Sequence, residues 1–323
     1  MKKILLIGAG QLGSRHLQAL SKLQKSMNIT VIDPSRNSLE IAEQRFHESE
    51  QHQKHIIEFK SGLDGIHQSF DIGIIATNAS VRLSVIEELL QKATVGNLIL
   101  EKVLFQSTAQ LYQAQKLLTA DSVQTWVNCP RRMFPLYKDL RARLKNKTKI
   151  HLQVEGTDWG LACNAIHFID LWAFLTNDTE YRLNTDNLIP QVFDSKRAGY
   201  KELYGVLSGQ GLKHSFSLEC AQANQSGVSL KIVIKTGDLS IEIDEIKKAC
   251  VINDANKNTE TVHFDLPYQS ELTTRVVEQI MLDGSSELTS FEESLQIHAP
   301  FLHGMLVFFN QTSHLNLSEC PIT

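Results

Sequence analysis

Up to about residue 128, short apolar runs alternate along the chain with longer amphipathic segments. Strands are predicted at six of the runs: 3–7, 29–33, 56–60, 70–77, 97–101 and 123–128. Helices are predicted at four intervening segments: 12–25, 36–48, 80–92 and 108–120. The runs at 70–77 and 97–100 are almost continuously apolar, which is typical of parallel strands buried on both faces. This alternation predicts an α/β fold with a doubly wound parallel sheet.

The pattern changes after Asn128. Pro130 and Pro135 interrupt the chain, and a basic amphipathic helix is predicted at about 136–146. A strand at 149–155, a helix at 164–175 and two closing helices at about 270–282 and 291–313 are also predicted. Between them, strands are predicted at six alternating segments: 202–208, 214–221, 228–235, 239–243, 249–253 and 261–264. Successive strands without helices between them indicate a largely antiparallel sheet. We therefore predict two domains, an α/β domain over 1–128 and an α+β domain over 129–323, with a cleft between them.

A glycine-rich motif joins the first predicted strand to the first helix. It reads Gly8-Ala9-Gly10-Gln11-Leu12-Gly13 and has the spacing G-x-G-x-x-G. In the Rossmann dinucleotide fold, the first glycine allows the tight turn, the second lets the backbone approach a pyrophosphate, and the third lets helix and strand pack closely. The helix N-terminus, which includes Gln11 and Leu12, offers N–H groups to the phosphates. A glycine turn of some other α/β fold is the less favoured alternative, because strand and helix flank the motif as required.

Asp33 closes the next strand, 20 positions after Gly13. A carboxylate there accepts hydrogen bonds from the ribose hydroxyls of adenosine and repels the 2′-phosphate of NADP, so NAD is the predicted cofactor. Arg36 leaves NADP open, because its side chain either stacks on adenine and reaches a phosphate or is a solvated cation at a helix start.

Composition narrows the class of protein. A length of 323 residues suits two domains, and 42% hydrophobic with 21% charged residues is typical of a soluble globular chain. The net charge of −4 argues against nucleic acid as a partner. No stretch approaches the ~20 apolar residues of a membrane span, and the apolar run at 4–7 is too short for a signal peptide. Five scattered cysteines indicate reduced thiols and a cytoplasmic protein.

Ligands of doubly wound sheets bind beyond the carboxyl ends of the strands. At those ends the sequence has Thr77-Asn78, Glu101-Lys102 and Asn128. A lysine at this edge can polarise a substrate oxygen, or act as a base where burial and nearby positive charge lower its pKa. The alternative for Lys102 is a surface lysine that merely follows a strand.

His167 is the second candidate for proton transfer, since an unperturbed histidine has a pKa of ~6.5. It stands with Asn164 in the otherwise apolar segment 161–169, three residues apart and therefore on one helix face. The alternative is a core histidine satisfied by hydrogen bonds. Asp170 either orients His167 or holds a neighbouring helix.

The order and spacing of these motifs resemble the glucose-fructose oxidoreductase / inositol dehydrogenase / MocA family of oxidoreductases. The resemblance covers nearly the whole chain. Its carriers are Gly8-x-Gly10-x-x-Gly13-x-x-His16, Asp33-Pro34, Ala76-Thr77-Asn78, Glu101-Lys102, Arg132-Met133-Phe134-Pro135 and the helix with Gly160, His167 and Asp170. The resemblance implies NAD or NADP, a sugar, cyclitol or sugar-derivative substrate, and hydride transfer at a carbinol carbon. It also implies that Lys102 and His167 lie beside the reacting carbon.

Three positions depart from the pattern that the resemblance implies. Val103 replaces the proline expected after the lysine, and Arg82 replaces a histidine often found after the A-T-N segment. Cys163 replaces the aspartate expected four residues before His167, and a neutral thiol cannot act as the charge partner that a carboxylate is.

The remaining predictions concern substrate and partners. We expect substrate between the domains against Asn128, Arg132, Trp159 and Asn164, with Trp159 either stacking on a sugar ring or forming a wall of the core. The basic residues from Arg131 to Lys149 either grip a phosphate in part or form a solvated helix face. No metal site is expected, because His47, His52, His55, Glu48 and Glu50 lack a rigid ligand spacing. A homodimer or homotetramer is expected through the antiparallel sheet. Two other classes remain as alternatives: an NAD-binding sensor without turnover and a scaffold.

Overall fold

The computed structural model describes residues 1–48, 50–223 and 228–323, with the backbone alone at residues 50 and 51. The chain divides into two compact units. Unit 1 comprises Met1–Phe105, Ala109–Pro130 and Pro267–Glu292, and unit 2 comprises Gln106–Thr108, Arg131–Leu266 and Glu293–Thr323. Residues 267–292, which the sequence analysis placed in the second domain, thus fall in the unit that contains the N-terminus.

Unit 1 is built on a sheet of seven strands. Its strands are β1 (Lys2–Ile7), β2 (Met27–Ile32), β3 (Ile56–Lys60), β4 (Ser69–Ile75), β5 (Thr94–Leu100), β6 (Gln124–Val127) and, from the C-terminal part of the chain, β17 (Thr289–Ser290). Its helices are α1 (Gln11–Leu20), α2 (Arg36–His47), α3 (Ala79–Lys92), α4 (Thr108–Ala120) and the late helix α7 (Gln269–Asp283).

The strand order in this sheet is β3-β2-β1-β4-β5-β6, followed by β17. All neighbours pair in parallel except β17, which runs antiparallel to β6. The central strand β1 is buried from Ile4 to Ile7, and Ile4 pairs with Ile29 on one side and Ile72 on the other. This is the order of a Rossmann fold, and it confirms the predicted doubly wound sheet.

Helix α7 completes unit 1 by packing against α1. The Thr274 hydroxyl donates a hydrogen bond to the carbonyl of Ala19 at 2.8 Å. The next helical turn buries Val276 and Val277. These contacts link positions about 255 residues apart in the sequence, so no local pattern could have assigned the segment to this unit.

Unit 2 is built on a sheet of eight strands in the order β16-β15-β14-β13-β7-β12-β11-β8. These strands are β7 (His151–Thr157), β8 (Arg182–Leu188), β11 (Gly205–Gln210), β12 (Ser215–Ala221), β13 (Ser229–Lys235), β14 (Leu239–Asp244), β15 (Ala249–Asp254) and β16 (Thr259–His263). A separate two-stranded sheet pairs β9 (Phe193–Asp194) with β10 (Lys201–Glu202). The helices are α5 (Pro135–Leu144), α6 (Leu161–Thr176) and α8 (Phe291–Ser313), the last of which begins in unit 1.

The pairing in the larger sheet is antiparallel except between β7 and β12. The predicted α+β architecture with a largely antiparallel sheet is therefore confirmed. Helix α6 packs on one face of the sheet, where Trp172 meets Phe216 with ring centroids 5.3 Å apart. Strand β8 escaped the sequence analysis because it is a polar edge strand whose side chains are mostly exposed.

The sequence predicts neither a membrane span nor a metal site nor a disulfide. Within residues 1–48, 50–223 and 228–323, no helix has both the length and the apolar character that crossing a bilayer requires. The same ranges contain no group of three or more His, Cys, Asp and Glu side chains arranged to hold a metal ion. The Glu50 side chain, one of those considered for such a site, lies outside the described part. All five cysteines are free thiols, as expected.

Candidate active-site residues

The motif from Gly8 to Gly13, here called the glycine turn, spans the loop after β1 and the first residues of α1, and its three glycines have different surroundings. Gly8 has a φ of +92°, and a Cβ there would lie 2.9 Å from the backbone of Ala76 and Thr77. A Cβ on Gly13 would lie 1.8 Å from the Gly8 carbonyl oxygen. A Cβ on Gly10 would meet nothing within 4 Å. Packing therefore demands glycine at positions 8 and 13, whereas glycine at position 10 keeps open the space that a pyrophosphate group needs.

Helix α1 presents its N-terminus to this space. It begins at Gln11, its N-cap Gly10 makes no side-chain capping bond, and its first turn contains no acidic residue. Gln11 and Leu12 are exposed. The positive end of the helix dipole is thus not neutralised by a neighbouring carboxylate in this turn, which fits an anionic group such as a phosphate.

Asp33 ties the glycine turn to the end of β2. One carboxylate oxygen accepts from the Ala9 N–H at 2.7 Å, and the other accepts from the Ser35 N–H at 2.8 Å. Since an ionised carboxylate has about four lone-pair sites, both oxygens can still accept from a ribose hydroxyl. Arg36 is exposed and forms an ion pair with Glu40 at 2.9 Å, which agrees with the interpretation of a solvated cation.

The turn after β4 carries an unsatisfied polar atom. The Thr77 hydroxyl oxygen is buried and has no hydrogen-bond partner among the described residues. Asn78 follows as the exposed N-cap of α3, and its side chain makes no capping bond. Because buried hydroxyls are normally hydrogen-bonded, Thr77 and the open space at Gly10 together fit a polar ligand laid along this edge of the sheet.

Glu101, at the end of β5, is held by a buried hydrogen-bond network. Its carboxylate receives His16 Nε2 at 2.8 Å and Asn128 Nδ2 at 2.5 Å. His16 Nδ1 lies 2.8 Å from the Thr273 hydroxyl, which in turn accepts from Gln269 at 3.0 Å. Burial alone would raise the pKa of Glu101, but the bond from His16, the bond from Asn128 and nearby positive charge hold it below its ordinary value. Glu101 is therefore a buried carboxylate kept ionised by its neighbours.

Lys102 follows directly and is half-buried, while Val103, Leu104 and Phe105 are fully buried. The peptide bond between Lys102 and Val103 is cis. The guanidinium of Arg82, from α3, donates to the carbonyls of Val103 and Leu104. Lys102 thus lies at the carboxyl end of its strand, between a buried carboxylate and a buried loop.

In unit 2, helix α6 carries the second group of predicted residues. It begins after Gly160, which has a φ of +83°, so the first turn lies three residues earlier than predicted. His167 and Asn164 are half-buried on it, and the Asn164 amide donates to the Trp159 carbonyl at 2.8 Å. Trp159 is buried with its ring edge-on to Phe168, which favours a role in the core wall over an exposed stacking platform.

A carboxylate that sequence reasoning missed lies at the start of α6. Glu202, from β10, accepts from the backbone N–H of Ala162 and, at 3.0 Å, from that of Leu203. It also accepts hydrogen bonds from the backbone and thiol of Cys163, and burial raises its pKa. A buried carboxylate therefore stands beside Cys163 although position 163 itself is neutral. Its position on a distant strand left no signal in the sequence near the helix.

Arg132, predicted to bind substrate, makes ion pairs within unit 2. Its guanidinium donates to Asp170 at 2.8 and 3.0 Å and to Glu293 at 3.2 Å. Asp170 thereby holds a neighbouring segment, the second of the two roles predicted for it. Other members of the basic cluster also pair with carboxylates: Arg131 with Glu245, Arg143 with Glu260 and Lys147 with Asp238. These pairings favour a structural role for much of the cluster over a phosphate site.

A family sequence model matches the N-terminal part of the chain, in agreement with the Rossmann order of its sheet. Residues 2–129 match the sequence model of an oxidoreductase family with an NAD-binding Rossmann fold, the Gfo/Idh/MocA family. No curated protein matches the chain by sequence. The NAD-binding Rossmann domain and the resemblance drawn from the motifs are thus confirmed for this region.

Three solved structures are similar over nearly the whole chain. An oxidoreductase from Agrobacterium radiobacter, in complex with NAD+, L-tartaric acid and magnesium, has a TM-score of 0.69 at 13% identity, covering 93% of this chain and 94% of that one. UDP-N-acetylglucosamine 3-dehydrogenase from Acidithiobacillus ferrooxidans has a TM-score of 0.69 at 14% identity, covering 94% and 96%. A super-repressor mutant of Gal80p from Saccharomyces cerevisiae has a TM-score of 0.72 at 14% identity, covering 98% and 97%. At these identities the likeness establishes the fold alone.

Proposed function

We propose that this chain is an NAD-dependent oxidoreductase, because residues 2–129 match the model of the Gfo/Idh/MocA family of oxidoreductases with an NAD-binding Rossmann fold. It transfers a hydride between the nicotinamide cofactor and a carbinol carbon of a sugar, nucleotide-sugar or cyclitol. The observation that carries the proposal is the buried Glu101 with Lys102 beside it, at the same sheet edge as the glycine turn. The similarity to UDP-N-acetylglucosamine 3-dehydrogenase supports the substrate class.

The cofactor-binding residues in this proposal lie in the glycine turn and after the ends of β2, β4 and β5: Gly8, Gly10, Gln11, Leu12, Gly13, Asp33, Thr77, Asn78 and Glu101. Asp33 favours NAD over NADP, because its carboxylate repels a 2′-phosphate. Titration calorimetry with each dinucleotide tests this preference, and tighter binding of NADP would reverse it.

Bound nicotinamide supplies the hydride acceptor in the oxidative direction and the donor in the reverse direction. Lys102 and His167 are assigned to the proton: one of them takes it from the substrate hydroxyl as the carbon gives up its hydride. Where His167 is the base, Lys102 keeps its proton, and its ammonium group stabilises the developing negative charge on the oxygen. Substrate contacts are assigned to Asn128 and Asn164, because the ion pairs of Arg132 and the buried ring of Trp159 favour structural roles for those two residues.

Replacing Lys102 by alanine tests the assignment. Turnover should collapse, whereas the affinity for NAD, measured by calorimetry, should change little. The substrate is first identified by thermal shift in the presence of NAD, with nucleotide-sugars, free sugars and cyclitols varied, since a ligand of the folded state raises the melting temperature. Turnover is then followed by NADH absorbance. A Lys102→Ala variant with wild-type turnover would remove Lys102 from the reaction.

A second candidate is an NAD-binding regulatory protein with little or no turnover. Two observations favour it: the fold is shared with a Gal80p repressor mutant, and Cys163 stands where the resemblance implies a carboxylate. Tight NAD binding without any NADH signal across the same ligand panel would select this candidate over the enzyme.

We also propose that the chain forms a homodimer or homotetramer through the sheet of unit 2. The buried residues Leu152 and Val154 alternate in β7 with the half-buried His151, Gln153 and Glu155, so one face of this strand is polar and accessible. Sedimentation equilibrium measures the association state, and a monomer at micromolar concentration would contradict this proposal.

A further inference from the structure

Arg82 is one of the largest fully buried side chains in the described part of the chain, with 1% of its surface exposed. Its Nη1 donates to the carbonyl oxygens of Val103 and, at 2.6 Å, of Leu104. Its Nη2 donates to the carbonyl oxygen of Thr77. One side chain thus connects the turn after β4 to the segment that immediately follows Lys102.

The guanidinium group is suited to this task. It carries five N–H donors in one rigid plane and no acceptor, so a single group can serve several carbonyls. Val103 and Leu104 have no exposed surface, and a buried carbonyl without a partner costs free energy comparable to a lost hydrogen bond. A smaller or neutral side chain at position 82 would leave some of these carbonyls unsatisfied.

The positive charge of Arg82 is compensated by the negative charge of Glu101. Glu101 lies on the other side of Lys102 and is ionised, and the positive charge of Arg82 is among the causes that lower its pKa. A buried charge is tolerated when an opposite charge and hydrogen bonds compensate it. The cation and the carboxylate therefore stabilise each other in the protein interior on either side of Lys102.

Two departures from the family pattern meet in this contact. Val103 lacks the fixed φ that a proline would give the backbone after the lysine, and Arg82 stands where a histidine is often found. We propose that Arg82 is a positioning residue: it fastens the Lys102–Leu104 turn to the Thr77 turn, and so holds the lysine against the cofactor-binding edge. This inference rests on the proposed function of Lys102.

The test uses Arg82→Gln and Arg82→Lys in the full chain. Gln removes the charge and shortens the reach, whereas Lys keeps the charge without the planar fork. The first readout is amide hydrogen exchange of the protein without substrate. In Arg82→Gln we expect exchange in segments 76–79 and 102–106 to rise at least about tenfold, as the loss of a bond to a charged donor implies. Arg82→Lys should fall between this variant and the wild type.

Leu118→Ala is the matched control, because Leu118 is a buried residue of α4 in the same unit and contacts of its kind affect stability only by packing. It should lower the melting temperature without a selective rise in exchange at the two segments. The second readout is kinetic: a displaced lysine should lower kcat by up to about 100-fold, with a much smaller change in NAD affinity.

An exchange rise in Arg82→Gln that spreads over unit 1 as in Leu118→Ala would overturn the proposal, and so would wild-type kcat in both Arg82 variants. Should Arg82→Gln fail to fold, Arg82→Lys decides by the same criteria. The exchange readout does not depend on the reaction. A selective exchange rise together with full turnover in Lys102→Ala would therefore refute the proposed function of the lysine and leave the connection between the turns intact.

Discussion

Replacing His16 by leucine removes one donor from a buried carboxylate without changing the size of the side chain greatly. In the wild type, His16 bonds to Glu101 at 2.8 Å, and both side chains are at most 5% exposed. The variant leaves Glu101 with the bond from Asn128 and the charge of Arg82, and it leaves Thr273 without its histidine partner. The free energy of unfolding of unit 1 should therefore fall.

The size of the loss follows from the kind of contact. A hydrogen bond to a charged group contributes about 1.5–3 kcal/mol net. Because Asn128 still donates to Glu101, we expect the free energy of unfolding to fall by about 1.5–3 kcal/mol at pH 7.

The pH dependence of the stability loss in His16→Leu distinguishes an electrostatic cause from a loss of packing. The folded state of the wild type lowers the pKa of Glu101 from its ordinary 4.5. Its stabilising contribution is thus present above that value and is lost as the pH falls through the folded-state pKa. Without the bond from His16, we expect burial to outweigh the remaining contacts and to raise the pKa of Glu101, since burial is the largest of the influences on it. The free energy of unfolding that His16→Leu loses relative to the wild type should then be largest at neutral pH and shrink as the pH approaches 4.5.

The assay is urea unfolding at several pH values between 4.5 and 7. Trp126 is buried in β6 and is the one tryptophan of unit 1, so its fluorescence reports this unit in a Trp159→Phe/Trp172→Phe background. His47→Leu is the control, because His47 is half-exposed and its loss should cost less than about 0.5 kcal/mol. A His16→Leu deficit that does not vary with pH would refute the electrostatic reasoning.

Three further predictions concern the glycine turn, the cofactor and α6. Gly13→Ala forces a methyl group against the Gly8 carbonyl and should lower the free energy of unfolding by about 1–3 kcal/mol or more. Gly10→Ala should keep the wild-type melting temperature and lose NAD affinity in calorimetry. Equal melting temperatures for the two variants would contradict this. Asp33→Ser should weaken NAD and narrow its advantage over NADP in the same titrations. Because the folded state raises the pKa of Glu202 above 4.5, the wild type loses stability as the pH rises through that pKa, and Glu202→Gln should abolish this loss in urea unfolding.

Much of unit 1 could be predicted because its signals are local. The glycine turn needs neighbours only a few residues away, and each strand of the parallel sheet is an apolar run that stands out by itself. The addition of residues 267–292 could not be predicted, because α7 joins α1 through side-chain contacts between distant segments. Strands β8 and β9 were missed since they are polar or only two residues long, and the predicted strand 202–208 runs from the last residue of β10 into β11.

The candidate site shows the same division. The sequence singles out Lys102, His167 and the glycine turn as candidates, because strand ends and helix faces are visible in a local pattern. It left Arg132 open, because what a buried arginine does depends on its partners, and Asp170 and Glu293 lie 38 and 161 residues away. Glu202 was missed for the same reason, since it reaches the start of α6 from a distant strand.

Buried polar contacts fix the backbone on both sides of Lys102. The residue before it, Glu101, is bonded to side chains from α1 and from the end of β6. The two residues after it are bonded through their carbonyls to Arg82 of α3. The backbone of the lysine is thus anchored on both sides by buried polar groups whose loss would leave unsatisfied partners. A backbone anchored in this way restricts the positions that the lysine side chain can reach. The proposed hydride transfer would require such a restriction of a group beside the reacting carbon.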